Sequence, residues 1–187
     1  MTSSPPIKRR NATKTRARIL AAAQACFARS GYSRSGIREI AALADVSSPM
    51  LLRYFGSKAG LFEAALTDAV RIDELLQVDR TQFGAHLAKL FTDAALDLTP
   101  PAMIALSTGD DEASEITRRV AEEQLVRPLA AWLGTPDGRV RAVEIFMLST
   151  SFVLYTRQLP LLPASGPSRR KLAAWLSETV QAIVDAR

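Results

Sequence analysis

Apolar residues recur with a helical period along almost the whole chain, and no segment alternates as a strand does. Ile19, Ala23, Cys26 and Phe27 form a stripe within a helix read from Thr13 to Ser30, and Gly31 follows where a left-handed C-cap is expected. Ile37, Ile40, Ala41 and Ala44 fall at i, i+3, i+4 and i+7 and predict a short helix. Leu51, Leu52 and Phe55 predict another just beyond it, with Asp45-Val46-Ser47 as the turn between them. Ser35 stands where a hydroxyl can cap the first of the pair, Ser47 or Ser48 can cap the second, and Pro49 suits its first turn. Two helices this short need others packed on them. The next pattern, with Leu61, Phe62, Ala65, Leu66, Ala69 and Val70 inward, predicts one long helix from Lys58 to Leu76. At ~1.5 Å per residue it would span roughly 30 Å.

The helical pattern continues over 81–98, 102–106, 111–133, 139–158 and 168–186, with a kink expected at Pro128. The last two helices are apolar around more of their circumference than one core face needs, which predicts a second buried surface, most simply between subunits. The expected fold is all-α. Its predicted parts are a flexible basic arm (1–12), a three-helix helix-turn-helix DNA-binding domain (13–57), a connecting helix (58–80) and a larger helical ligand-binding and dimerisation domain (81–187).

Charge sharpens this division. The net charge of +5 conceals eleven basic and two acidic residues through residue 60, against thirteen basic and seventeen acidic ones beyond it. A basic head on a mildly acidic body is the footprint of a polyanion-binding unit. Arg34, Arg38, Arg53 and Lys58 lie on the polar side of the short helix pair, with Ser47, Ser48 and Tyr54 as further hydrogen-bonding groups. A helix-turn-helix sets the start of its second helix against base edges. Lys14, Arg16 and Arg18 cluster at the predicted start of the first helix, where cations oppose its dipole; a bound phosphate would resolve that conflict.

Other functions find little support. One cysteine, Cys26, allows no internal disulfide and no cysteine-rich zinc site, and its apolar neighbours predict a buried thiol. His86 has no second ligand of metal-site spacing. No glycine-rich phosphate loop, nucleophile elbow or paired carboxylates suggest an enzyme, and Asp110-Asp111-Glu112 reads as a solvated loop. The start of the sequence has no signal-peptide core, and the longest apolar run, Ala142 to Tyr155, is too short to cross a bilayer. A cytoplasmic protein without membrane partner, metal or cofactor is expected.

Arg18-Ile19-Leu20, Ala22-Ala23, Phe27, Gly31-Tyr32, Ile40-Ala41, Val46-Ser47, Tyr54-Phe55, Ser57-Lys58 and Leu61 together resemble the DNA-binding domain of the tetracycline-repressor (TetR/AcrR) family of bacterial regulators. The match covers about residues 13 to 66. Asp45 stands where the family usually has Gly, as does Pro49, and Leu52 stands where a backbone-contacting Tyr is common. The resemblance implies a homodimer, joined through helices 139–158 and 168–186, on a pseudo-palindromic operator in double-stranded DNA. Ser35 and Arg38 would face phosphates; Ser48, Pro49 and Met50 would approach bases; Arg53, Tyr54 and Lys58 would hold the backbone; and Arg34 and Ser47 complete the candidate DNA-binding set. It also implies a pocket for a small hydrophobic effector, with Phe83, Leu87, Phe91, Met103, Leu106, Leu125, Trp132, Phe146, Phe152 and Tyr155 as candidate lining. The expected function is a repressor released by that effector. A regulator without an effector, or a helical protein-interaction module, is the alternative.

Overall fold

The computed structural model describes the chain except residues 1–5, 71, 94, 95, 97 and 187, and gives the backbone alone for residues 6–10. The described residues are all-α. In chain order they form α1 (Pro6–Arg34), α2 (Ile37–Leu43), α3 (Ser48–Phe55), α4 (Lys58–Ala69), α5 (Ile72–Leu75), α6 (Phe83–Thr92), α7 (Thr99–Ser107), α8 (Asp111–Ala121), α9 (Arg127–Leu133), α10 (Gly138–Val153) and α11 (Pro167–Asp185).

Two apolar cores divide the molecule. The first joins α1 to α4, where Phe62 meets Phe27 edge-on at 5.0 Å and Tyr32 at 5.2 Å. Burying one such ring contributes about 1.5–3 kcal/mol. This core continues past the head: Met103 and Ile104 of α7 and Ala113, Ile116 and Val120 of α8 belong to it. The second core joins α6, α9, α10 and α11 around Phe83, Leu129, Ile145, Phe152, Leu176 and Val180. Gly84 lets α6 approach α11 closely, because a β-carbon there would lie 2.2 Å from the Ser177 carbonyl oxygen.

Several expectations are corrected. Helix α1 starts at Pro6, so residues 6–12 of the expected arm continue it; residues 1–5, and the side chains of Lys8, Arg9 and Arg10, lie outside what is described. Lys14, Arg16 and Arg18 therefore sit well inside the helix, not at its positive end. Arg16 lies over the Phe55 ring at 5.6 Å, and Arg18 pairs with Asp45 at 3.6 Å. The dipole conflict does not arise.

The connecting helix is also shorter than its pattern suggested. It ends at Ala69, where Val70 turns to extended backbone (φ −79°, ψ 118°), and α5 begins only at Ile72. Val70 packs against the first core and the chain bends there. The helix expected over 111–133 widens into a π-helical segment at Glu122–Val126 just before Pro128. The proline's missing N–H is thus absorbed in the first turn of α9.

Arginines close several helix ends in the body. Arg141, buried, donates to the carbonyls of Leu133, Gly134, Pro136 and Ala186 at 2.8–3.1 Å. Arg80 serves Trp132, Leu133 and Val184 in the same way, and lies 4.8 Å over the Trp132 ring. Cations at helix C-termini meet both the orphan carbonyls and the negative end of the dipole.

Candidate nucleic-acid interface and cavity

The short helix pair is fixed from behind by Ile40, Ala41, Ala44 and Leu51, all buried. Asp45 takes positive φ (51°) in the turn, a conformation that Asp tolerates better than most residues. Ser47 caps α3 by accepting from the Met50 N–H at 3.3 Å, and Pro49 lies in the first turn. The polar and basic side chains are consequently turned outward. Arg34, Arg38, Ser47, Pro49, Met50 and Arg53 are exposed, while Ser48 and Tyr54 are half-buried. Arg34 donates to the Ser30 carbonyl and Arg29 pairs with Glu39 at 2.7 Å, so both are partly held along the surface. The result is an exposed surface that carries three cations, Arg34, Arg38 and Arg53, together with Pro49 and Met50 from the start of α3. Cations of this kind can meet phosphates, and the start of such a helix can meet base edges.

Ser35 is not part of this face. It is 1% exposed, and its hydroxyl donates to the carbonyls of Gly31 at 2.7 Å and Cys26 at 3.1 Å. Gly36, not Ser35, precedes α2. The small hydroxyl is spent on the carbonyls left over where α1 ends, so the expected phosphate contact is withdrawn. Lys58 is half-buried and donates to the Ser33 carbonyl at 3.3 Å. Cys26 is buried, and burial pushes its thiol up.

A second feature lies between the two cores: a half-open, mostly apolar cavity of about 370 Å³. Its wall combines Ala69 and Val70 of α4's end, Ile72 and Leu75 of α5, Leu87, Leu90 and Phe91 of α6, Pro100, Pro101 and Ile104 of α7, Leu125, Leu129, and Ala142, Ile145 and Phe146 of α10. His86, exposed, Glu74, Ser149 and Thr150 contribute the polar groups. Four of the candidate lining residues are in this wall: Leu87, Phe91, Leu125 and Phe146. The others are placed elsewhere. Phe83 packs on Trp132 at 4.9 Å, Met103 is in the first core, Phe152 in the second, Tyr155 is exposed, and Leu106 abuts Gly31. Helical period placed most of these residues inward, Tyr155 being the exception, but not in which of the two cores. The prolines of α7 and the break at Val70, which border the space, leave no periodic signal.

Two family models match the chain: bacterial regulatory proteins of the tetR family over residues 19–65, and the tetracyclin repressor-like C-terminal domain over residues 64–184. The chain belongs to the TetR family of transcriptional regulators. Members are DNA-binding regulators and not enzymes. No curated protein matches the sequence. Among solved structures, a TetR-family transcriptional regulator from Rhodococcus sp. is similar at TM-score 0.72 and 16% identity, with 92% of this chain and 100% of that one covered. NalD of Pseudomonas aeruginosa, the secondary repressor of the MexAB-OprM multidrug efflux pump, is similar at TM-score 0.62 and 17% identity, with 90% and 96% covered. A transcriptional regulator from Saccharomonospora viridis, in complex with choline, gives 0.64 and 17%, with 90% and 96% covered. At these identities the likeness is one of fold.

The acidic run Asp110-Asp111-Glu112 is the site feature that sequence reasoning missed. Asp110 caps α8 by accepting from the Ala113 N–H at 3.0 Å, and it also accepts from the Ser33 hydroxyl at 2.6 Å. Those bonds, with the Lys58 charge nearby, hold its carboxyl below the usual range. Glu112 accepts from the Tyr32 hydroxyl. Burial, then that hydrogen bond, raises the phenol far above its ordinary value, so it stays a donor. These partners are about 80 residues apart in sequence (Tyr32 to Glu112), and no local pattern could announce them. Among the described residues no three His, Cys, Asp or Glu side chains are grouped so that they could hold a metal ion, and no helix is long and apolar enough to cross a membrane.

Proposed function

We propose that this TetR-family regulator is a repressor that binds a pseudo-palindromic operator as a homodimer and leaves it when a small hydrophobic effector enters the cavity. The observation that carries the reading is a shared wall. Val70 and Ile104 line the cavity and also pack in the core that supports α1 to α4. A ligand pressing on that wall therefore acts on the seat of the DNA-binding helices. It can shift an equilibrium only by its differential affinity for the two states, typically ~1–3 kcal/mol. Arg38 and Arg53 serve phosphates in this reading, and Ser48, Pro49 and Met50 approach bases, Met50 by apolar contact with a thymine methyl.

Dimerisation is supported by exposed apolar side chains on the last two long helices: Val140 and Met147 on α10, Tyr155 just past its end, and Trp175 on α11; Met147 is 62% exposed. NalD is a repressor and the Saccharomonospora protein was solved with choline, which is consistent with both halves of the proposal. Such a protein works in the cytoplasm, where its DNA is. The test is a gel shift on the DNA upstream of its own gene, across a salt series and with a panel of apolar compounds. Binding that falls steeply with salt and is relieved by one of the compounds supports the proposal. Salt-insensitive or absent binding overturns it, as does a monomeric wild type that Met147→Glu leaves unchanged in size.

A further inference from the structure

Between head and body lies a small polar cluster that the reading above does not use. At the end of α1 the chain turns at Gly31 (φ +74°) against α7, so closely that a β-carbon would lie 3.3 Å from the Leu106 carbonyl oxygen. The next two residues reach out of the head with their hydroxyls alone. Tyr32 keeps its ring in the core against Phe27 and Phe62 and gives its hydroxyl to Glu112. Ser33 gives its hydroxyl to Asp110 at 2.6 Å. Lys58, at the start of α4, lies over the Tyr32 ring at 4.4 Å and donates to the Ser33 carbonyl. A separate ion pair, Arg119 to Glu63 at 2.8 Å, ties α8 to α4.

We infer that Asp110 and Glu112 are positioning residues: the start of α8 is a latch that sets the angle of the DNA-binding head on the body by holding Tyr32 and Ser33. The inference rests on the proposed operator binding for its consequence but not for its geometry. Both carboxylates stand at the beginning of α8, one turn beyond α7, whose Ile104 lines the cavity. A displacement of α7 thus reaches the latch within a few residues. Charge-assisted hydrogen bonds of this kind are strongly directional. Two of them on adjacent residues of one turn fix orientation, where the apolar packing of Tyr32 alone fixes only proximity. A head held at one angle binds its operator without first losing orientational freedom, which is the advantage of preorganisation.

The test uses the full chain with spin labels at Leu43→Cys in the head and Ala131→Cys in the body, both exposed positions, diluted with unlabelled protein. Buried Cys26 stays unlabelled. Tyr32→Phe removes only the hydroxyl and keeps the ring packing; Asp110→Asn and Glu112→Gln change charge at constant shape. A single narrow head-to-body distance in the wild type that broadens in Tyr32→Phe/Asp110→Asn and in Glu112→Gln supports the latch. An unchanged distribution in all of them overturns it. Operator affinity of the combined variant, read on the upstream DNA, is expected to fall about tenfold, as two modest hydrogen bonds allow. A wild type that binds no DNA strikes the operator reading, while the distance measurement still decides the latch.

Discussion

The Lys58 ammonium sits 4.4 Å from the centre of the Tyr32 ring. A lysine at the start of a helix beside a DNA-binding pair invites assignment to a phosphate, yet here it faces a ring and the Ser33 carbonyl of its own chain. Arg38 and Arg53 are exposed on the opposite account. Each phosphate contact removed lowers the slope of log affinity against log salt by about one. Arg38→Ala and Arg53→Ala are each expected to reduce that slope by about one. Lys58→Ala is expected to leave the slope nearly unchanged while lowering thermal stability. Equilibrium binding at four or more salt concentrations separates the two behaviours.

The two serines that resemble each other in sequence should part company in the same assay. Ser47 caps α3 from an exposed position, so Ser47→Ala loses roughly 1 kcal/mol of cap and disorders the start of the helix that approaches bases. Weaker operator binding is expected with only a small drop in urea midpoint. Ser35→Ala removes a buried donor to Gly31 and Cys26, costing about 1–2 kcal/mol of stability. Its salt slope should equal that of the wild type.

What could be read from sequence follows the range of the interactions. The helix pair, a serine cap at Ser47 or Ser48, the turn at Asp45 and the break in α1 at Gly31 are decided by residues within one turn of each other, and these were legible, though not which serine caps. The break at Val70 was not, because an apolar residue in register continues a periodic pattern whether or not the backbone does. Ser35 failed for a related reason. Its position before a helix suggested a cap, but the competing partners were carbonyls of the preceding helix. The cavity wall was half-legible: periodicity found inward residues such as Leu87 and Phe146, but not the gap between two cores that they border.

That gap can be closed by one side chain. Leu90 is half-buried on α6 and lines the cavity. Leu90→Trp adds a ring into space already present, so strain should stay within about 1–3 kcal/mol. Binding of an apolar fluorescent probe should weaken at least tenfold, and operator release by effector should be lost, with DNA affinity retained. Titration of the probe, followed by the gel shift, measures both.

Arg141 offers the sharpest stability change in the body. Four carbonyls at the ends of α9 and α11 and in the turn between α9 and α10 converge on one buried guanidinium. Arg141→Met keeps the apolar stem but takes this donor from all four carbonyls, of which Leu133 alone keeps Arg80, and a loss of about 3 kcal/mol or more is expected. Urea unfolding monitored at Trp132 and Trp175 gives the value. An effect under 1 kcal/mol would show that water replaces the arginine freely.

Asp110 gives a pH signature. Its carboxyl is held below the usual value of 3.8, first by the Ser33 hydroxyl, then by the Ala113 N–H, with smaller help from Lys58 and the Glu112 N–H. A carboxyl depressed in the folded state binds protons less readily there than in the unfolded chain. Its stabilising contribution is therefore complete above the unfolded value and disappears as pH falls through the folded one. The difference in urea midpoint between wild type and Asp110→Asn should be present at about pH 6 and shrink progressively as the pH falls below the carboxyl's ordinary range, as Asp110 takes up its proton. The same comparison in a Ser33→Ala background should show a smaller gap at about pH 6, since the largest cause of the depression is gone. A gap that persists unchanged in acid would mean that Asp110 stabilises α8 by shape and not by charge.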